Sequence, residues 1–202
     1  MGRPRQKRRY RKVFVIGTEG KVTEPNCFKA LRSLYGNLKI LPCKRGHSDA
    51  LHIAQQLAGE SKGTHDSFWL VCDKDHIDEA KWKKIVELCS INGINIALSN
   101  PCFEYWLLLH YVQAGKTGDV SSCVRAGTAL KQKVEGYEKN QDQRFFETHF
   151  IPHLKTAIDR AETEMATQQA RQPFAGRGTT MYQLMREIIS AAGALTGLDK
   201  TA

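Results

Sequence analysis

The sequence predicts an α/β fold. Residues 12–114 are expected to form a Rossmann-like domain on a four-stranded, mainly parallel sheet, and residues 115–202 a helical accessory region packed on it. Three observations predict this. Four short apolar runs have the length and composition of buried strands. They alternate with segments of helical period, and crossovers of that length imply parallel pairing with right-handed connections. Past Gly115 the strand signal stops and only helical periodicity continues.

Val13-Phe14-Val15-Ile16 is the first strand. It runs into Gly17-Thr18-Glu19-Gly20, where glycines allow a tight turn and close approach of a ligand beside a carboxylate. Thr23 is the expected cap, and Pro25 the first-turn residue, of a helix running to Gly36. Leu38 to Cys43 is the second strand. After the loop Lys44-Arg45-Gly46-His47-Ser48, Ser48 is expected to cap a helix with Ala50, Leu51, Ile53, Ala54 and Leu57 at helical spacing. Phe68 to Cys72 is the third strand, apolar and aromatic throughout. Asp78 or a neighbour caps a helix with Trp82, Ile85, Val86 and Cys89 on one face, closed by Gly93. Ile94 to Leu98 is the fourth strand, followed by Ser99-Asn100-Pro101 and an apolar helix from Cys102 to Tyr111. In the helical region, Ser122 to Gly136 is one helix. A second stretch, from about Arg144 to Gln169, is interrupted near Pro152. Thr179 or Thr180 caps a last helix carrying Tyr182, Leu184, Met185, Ile188 and Ile189.

At 202 residues and 41 % hydrophobic content, the chain can bury a substantial core. Its net charge of +9 is concentrated in a basic N-terminal arm, residues 1–12. That arm holds Arg3, Arg5, Lys7, Arg8, Arg9, Arg11 and Lys12 and no acid; without those seven the chain has 23 basic against 21 acidic residues. The arm is either a phosphate-contacting element without sequence readout or a solvated tail. No apolar run approaches the roughly 20 residues needed to span a bilayer, and there is no secretory apolar segment, so a cytoplasmic, non-membrane protein is expected. The six cysteines are dispersed without a Cys-x-x-Cys pair. They read as small core hydrophobes in a reducing compartment, with no support for a structural zinc site.

The densest chemical signal is Leu70-Val71-Cys72-Asp73-Lys74-Asp75, an Asp-x-Asp just past the end of the third strand. Open α/β sheets place their ligands at that edge. Two carboxylates so close repel unless a cation or proton lies between them, so the pair is either a hard-metal site, with Mg²⁺ the natural occupant, or a turn and helix cap. If the first and third strands are neighbours, Glu19, Asp73 and Asp75 converge. Glu24 either joins them or is a first-turn acid facing the helix dipole. Lys44, Arg45 and His47 form either a substrate-phosphate loop or an ordinary basic turn. Lys74 points into the cleft or along the surface, and His76 shuttles protons or sits in an exposed loop. Asn100 and Glu104 follow the fourth strand at the same sheet edge. Glu104 lies one turn into an apolar helix, where an unpaired carboxylate is costly, so it faces the cleft or caps the helix. His110 reads as a satisfied core histidine. Ala114-Gly115-Lys116-Thr117 is not a phosphate-binding loop, because it follows a helix and lacks the earlier glycine. His149 and His153, with Pro152 between them and no adjoining Glu, make a poor zinc pair.

Together these segments resemble a known family. Gly17-Thr18-Glu19-Gly20 and Asp73-Lys74-Asp75 resemble the TOPRIM fold of topoisomerases, primases and OLD-type nucleases. Glu19-Gly20-Lys21-Val22-Thr23-Glu24-Pro25, the run from Ser99 to His110 and Thr180-Met181-Tyr182-Gln183-Leu184 resemble motifs of the RloB (AbiLii-like) family of bacterial phage-defence proteins. The resemblance implies Glu19, Asp73 and Asp75 as metal-coordinating acids, Glu24 as an additional ligand, and work with a partner ATPase. In one departure, His76 stands where an acidic residue often follows the Asp-x-Asp.

The expected function is then a Mg²⁺-dependent nuclease, with Mn²⁺ as the alternative ion, hydrolysing phosphodiesters of DNA or RNA in an abortive-infection system. Lys74 or the Lys44–His47 loop would stabilise developing charge, and Glu24 or Glu104 would serve as general base or second metal ligand. A non-catalytic nucleic-acid-binding or regulatory subunit of the ATPase partner is the alternative. A metal-dependent glycosyltransferase would use Asp-x-Asp but would not require Glu19. Without a zinc ribbon a primase is disfavoured, and strand passage needs further domains than this length allows.

Overall fold

The predicted apolar runs are extended and lie side by side in one sheet. In the computed structural model, which describes residues 12–41, 49–61, 66–74, 77–168 and 176–196, β1 (Phe14–Thr18), β2 (Leu38–Leu41), β3 (Ser67–Asp73) and β4 (Ile94–Asn100) pair in parallel. The sheet order is β2-β1-β3-β4-β5, five strands where the sequence predicts four. The fifth, β5 (Gly178–Thr179), runs antiparallel along the outer edge of β4. Two residues carry no periodicity, so only tertiary contacts define this strand. Thr180 N–H donates to the Leu98 carbonyl at 2.9 Å, and the Ser99 and Thr179 hydroxyls bond at 2.9 Å.

Both faces of the sheet are covered, as parallel strands require. Alternate residues Val15, Phe68, Leu70, Cys72 and Leu98 pack on α2 (Ala50–Glu60) and α3 (Glu79–Ile91). Gly17 lets α2 come close, because a Cβ there would lie 2.5 Å from Ile53 Cγ2. Phe14, Ile16, Trp69, Val71 and Ala97 face the other way. They share one cluster with α1 (Thr23–Tyr35), α4 (Phe103–Leu108), α5 (Cys123–Lys133), α6 (Gln143–His149), α7 (Leu154–Gln168) and α8 (Met181–Thr196). The C-terminal helices thus supply the second layer of the sheet's own core. Among the described residues no helix is long and apolar enough to cross a membrane.

Helix caps differ in detail from the sequence reading. Asp49, not Ser48, caps α2 by accepting from Leu51 N–H at 2.8 Å. Thr23 lies inside α1, which has no side-chain cap, and its hydroxyl donates to the Lys139 carbonyl at 2.6 Å. Asp78 caps α3, as predicted, and the helix expected over Ser122 to Gly136 is α5, which Ser122 caps and which ends at Lys133. Pro152 sits in a 3₁₀ turn, Ile151–His153, between α6 and α7. His110 is buried, with its ring 5.0 Å from Trp106 and 5.3 Å from Phe150. Residues 1–11 of the basic arm, Lys44, Arg45, His47, Ser48, Asp75 and His76 lie outside the described residues.

Candidate functional site

Because β1 and β3 are neighbours, the chain ends of both strands meet at the carboxyl edge of the sheet. Glu19 N–H donates to the Val71 carbonyl at 3.1 Å, and Asp73 N–H donates to Glu19 Oε2 at 3.2 Å. Asp73 Oδ1 accepts the Phe103 N–H at 2.9 Å, which ties this carboxylate to the first turn of α4. The cap reading of Asp73 therefore holds in part: it caps, but a different helix from the one that follows it.

Glu24, at the start of α1, is buried rather than facing solvent as a simple first-turn acid would. Gly20 makes its position available, since a Cβ at Gly20 would fall 1.7 Å from Glu24 Oε2. Burial pushes the Glu24 carboxyl up to about 7. Repulsion from Glu104 and Glu19 adds to that rise, and the backbone N–H groups of Glu24 and Gly20 oppose it. Glu104, on α4, is also buried and pairs with Lys139 at 2.9 Å. Desolvation works against the Lys139 ammonium, but the Glu104 carboxylate outweighs it and raises the lysine pKa. Lys139 belongs to the segment between α5 and α6, fastened to α1 by the Thr23 bond and by Asn26 Nδ2 donating to the Gln141 carbonyl at 2.8 Å.

Glu19, Glu24, Asp73, Glu104, Cys123 and Lys139 line one open cleft of about 520 Å³. Four carboxylates facing such a space suit a hard cation, which relieves their mutual repulsion. Two further features fit one. The glycine cradle at Gly20 brings the Glu24 carboxylate against the loop carrying Glu19. The buried Tyr137 hydroxyl, within electrostatic reach of Glu104 and Glu24, has no hydrogen-bond partner among the described residues. The carboxylates are spread around the cleft. Among the described residues the one trio of ligand atoms all within 4.8 Å of one another is Asp73, Cys102 and Cys123. A spread carboxylate set suits Mg²⁺, which keeps several waters and takes one or two carboxylates directly.

Other predicted residues stand apart from this cleft. The Lys74 ammonium donates to the Ile77 carbonyl at 2.6 Å, along its own loop. Asn100 donates to the Gly176 carbonyl at 2.7 Å and lines a separate space of about 380 Å³ with Arg177. Of the predicted charge-stabilising and substrate-binding residues that are described, neither is brought to the acids. Sequence reasoning did not find Lys139, Tyr137 or Cys123. They lie in the helical region, in no motif, and more than a hundred residues from Glu19. The single available signal was Glu104 itself, a carboxylate in an apolar helix that must find a partner.

The family model for the RloB-like protein matches residues 14–188, and the chain belongs to that family. Neither the curated proteins nor the solved structures compared with the chain contain a match.

Proposed function

We propose that this member of the RloB-like family is a divalent-metal-dependent nuclease of TOPRIM type that hydrolyses phosphodiester bonds of DNA or RNA. The observation that carries the reading is the meeting of Glu19, Glu24, Asp73 and Glu104 around one cleft at the carboxyl edge of parallel strands. Glu19 and Asp73, with Glu24 and Glu104 beside them, would hold Mg²⁺ or Mn²⁺; Asp75, outside the described residues, enters this set through the Asp-x-Asp pattern and the family resemblance. The bound ion supplies Lewis-acid polarisation of the phosphate and an acidified water. The chain's own groups do the rest. Phe103 N–H and Asp73 N–H orient the Asp73 and Glu19 carboxylates. Glu24, raised to about 7 in the metal-free protein, is suited to take or return a proton at its carboxylate oxygens near neutral pH when it stands off the ion. Lys139 holds Glu104 and, with Lys21, which also lines the cleft, brings positive charge to a polyanionic substrate. A role in phage defence and an ATPase partner belong to the same proposal and rest on the resemblance; a cytoplasmic location rests on the dispersed cysteines.

One observation favours a second reading. Asp73 also has a structural task, on the Phe103 N–H, which a non-catalytic nucleic-acid-binding or regulatory subunit would keep. The two are separated by incubating purified protein with plasmid DNA, single-stranded DNA and total tRNA, with and without Mg²⁺ or Mn²⁺, alongside D73N. The nuclease reading expects cleavage that needs metal and falls about a hundredfold or more in D73N. Metal-indifferent binding of nucleic acid by both proteins, without cleavage, would establish the subunit reading instead.

A further inference from the structure

We propose that Cys102, Cys123 and Asp73 form a site for a borderline-soft divalent cation of the zinc class, set in the wall of the acidic cleft. Their ligand atoms lie within 4.8 Å of one another. Ligands held at about 2.0–2.3 Å around one tetrahedral ion sit at about 3.3–3.8 Å from each other, so small side-chain adjustments close the site. Each ligand comes from a different element: Asp73 ends β3, Cys102 precedes α4, and Cys123 opens α5. The position is thereby fixed by three backbone segments of the core rather than by one loop.

The donor chemistry decides the ion. Thiolates select zinc-like ions over Mg²⁺ or Ca²⁺, which take oxygen ligands. Each thiol gives its proton to solvent on binding. Two sulfurs and one carboxylate leave a fourth position, and Asp73 and Cys123 both line the cleft, so that position opens to it. Open, three-ligand zinc sites are the kind that bind water or a substrate atom. Among the described cysteines Cys123 alone is not buried, which gives the ion a way in. Cys27, Cys72 and Cys89 are buried in the two apolar clusters and join no such group. Dispersed cysteines hid this site from the sequence, because Cys102 and Cys123 form no spaced pair.

The thiolate site stands independently of the nuclease reading. What rests on that reading is one consequence: an ion on the two sulfurs takes Asp73 away from the carboxylate set, so zinc and Mg²⁺ compete. Co²⁺, a spectroscopic substitute for zinc, tests both parts on the reduced full-length protein. Titration should give a thiolate-to-cobalt charge-transfer band saturating at one equivalent and bleached by Zn²⁺. C102S and C123S should each lose most of the band and at least tenfold in affinity. C89S, whose sulfur lies across the sheet, should match the wild type, and D73N should weaken binding while keeping the band. Circular dichroism checks folding, and C123S at the partly exposed helix start carries the test if C102S misfolds. Absence of the band in folded, reduced protein, or its survival in C123S, would overturn the site. Excess Mg²⁺ should weaken Co²⁺ binding; a band that forms but ignores Mg²⁺ upholds the thiolate site and overturns the competition for Asp73.

Discussion

Glu104 and Tyr105 are consecutive residues of α4, and they lead to opposite treatments of a buried carboxylate. On the sealed side, Glu164 of α7 accepts the Tyr105 hydroxyl on both oxygens, at 2.7 and 2.8 Å, with Arg177 Nε at 3.6 Å. Burial raises its pKa, and those two partners oppose the rise. On the cleft side, Glu104 pairs with the exposed Lys139, while Glu24, Glu19 and Asp73 face the same space. At Glu24 repulsion from Glu104 and Glu19 adds to desolvation, with two backbone N–H groups opposing the rise. A fold that needs only stability provides each buried carboxylate with donors, as it does for Glu164. A cleft that gathers carboxylates against one another accepts a cost in the free protein that a bound cation would remove.

The largest expected effect tests how tightly the sealed side is closed. His110 is driven down to about 3, first by burial and then by the charges of His153 and Arg160, with the Trp106 and Leu107 carbonyls opposing. Its folded pKa lies below the unfolded value of 6.5. The unfolded chain therefore binds a proton that the native state refuses, and stability falls as pH drops from about 6.5 towards 3. The loss is on the order of 4 kcal/mol across that window. Urea unfolding at pH 7 and pH 4 should show a much smaller pH effect in H110Q. An equal loss in both proteins would mean that the imidazole is not sealed.

Glu164→Ala comes next, at about 2–3 kcal/mol of destabilisation at pH 7, because it strands the buried Tyr105 hydroxyl and removes the carboxylate beside Arg177. Urea melts with and without Mg²⁺ should shift by the same amount, since this carboxylate lies outside the cleft. A metal-dependent shift would break the distinction between the two sides.

Four of the five strands and the acids of the cleft were legible in the sequence. Apolar runs of strand length announce themselves by periodicity, and the edge where Glu19 and Asp73 emerge follows from their order in the chain. Their convergence needed only that β1 and β3 pair, which they do. The rest depends on contacts between distant segments. β5 is two residues long and exists because Thr179 and Thr180 bond to β4. Lys139 reaches Glu104 because Thr23 and Asn26 hold its loop. Lys74 and Asn100 lie close in sequence to the acids, but each side chain has a carbonyl partner away from the cleft. Proximity along the chain placed them at the right edge without deciding where they point.

The smallest expected effect is also the one with the opposite sign. Glu24→Gln preserves the shape that Gly20 accommodates and keeps an oxygen to accept from the backbone, yet removes one negative charge facing Glu104 and Glu19. At pH 8, above its pKa of about 7, the wild-type carboxyl carries its charge in the folded protein. The metal-free variant should then be more stable than wild type by about 1 kcal/mol in urea. Saturating Mg²⁺ should reverse the order, because a ligand stabilises in proportion to its affinity for the native state and the variant offers one carboxylate fewer. Truncating a satisfied acid cannot produce that crossing of signs, as Glu164→Ala will show beside it. If Glu24→Gln instead destabilises the metal-free protein as Glu164→Ala does, Glu24 is a structural acid whose backbone donors outweigh the like charges around it. The two sides of α4 would then be alike, and the cleft would lose its strongest claim to a cation.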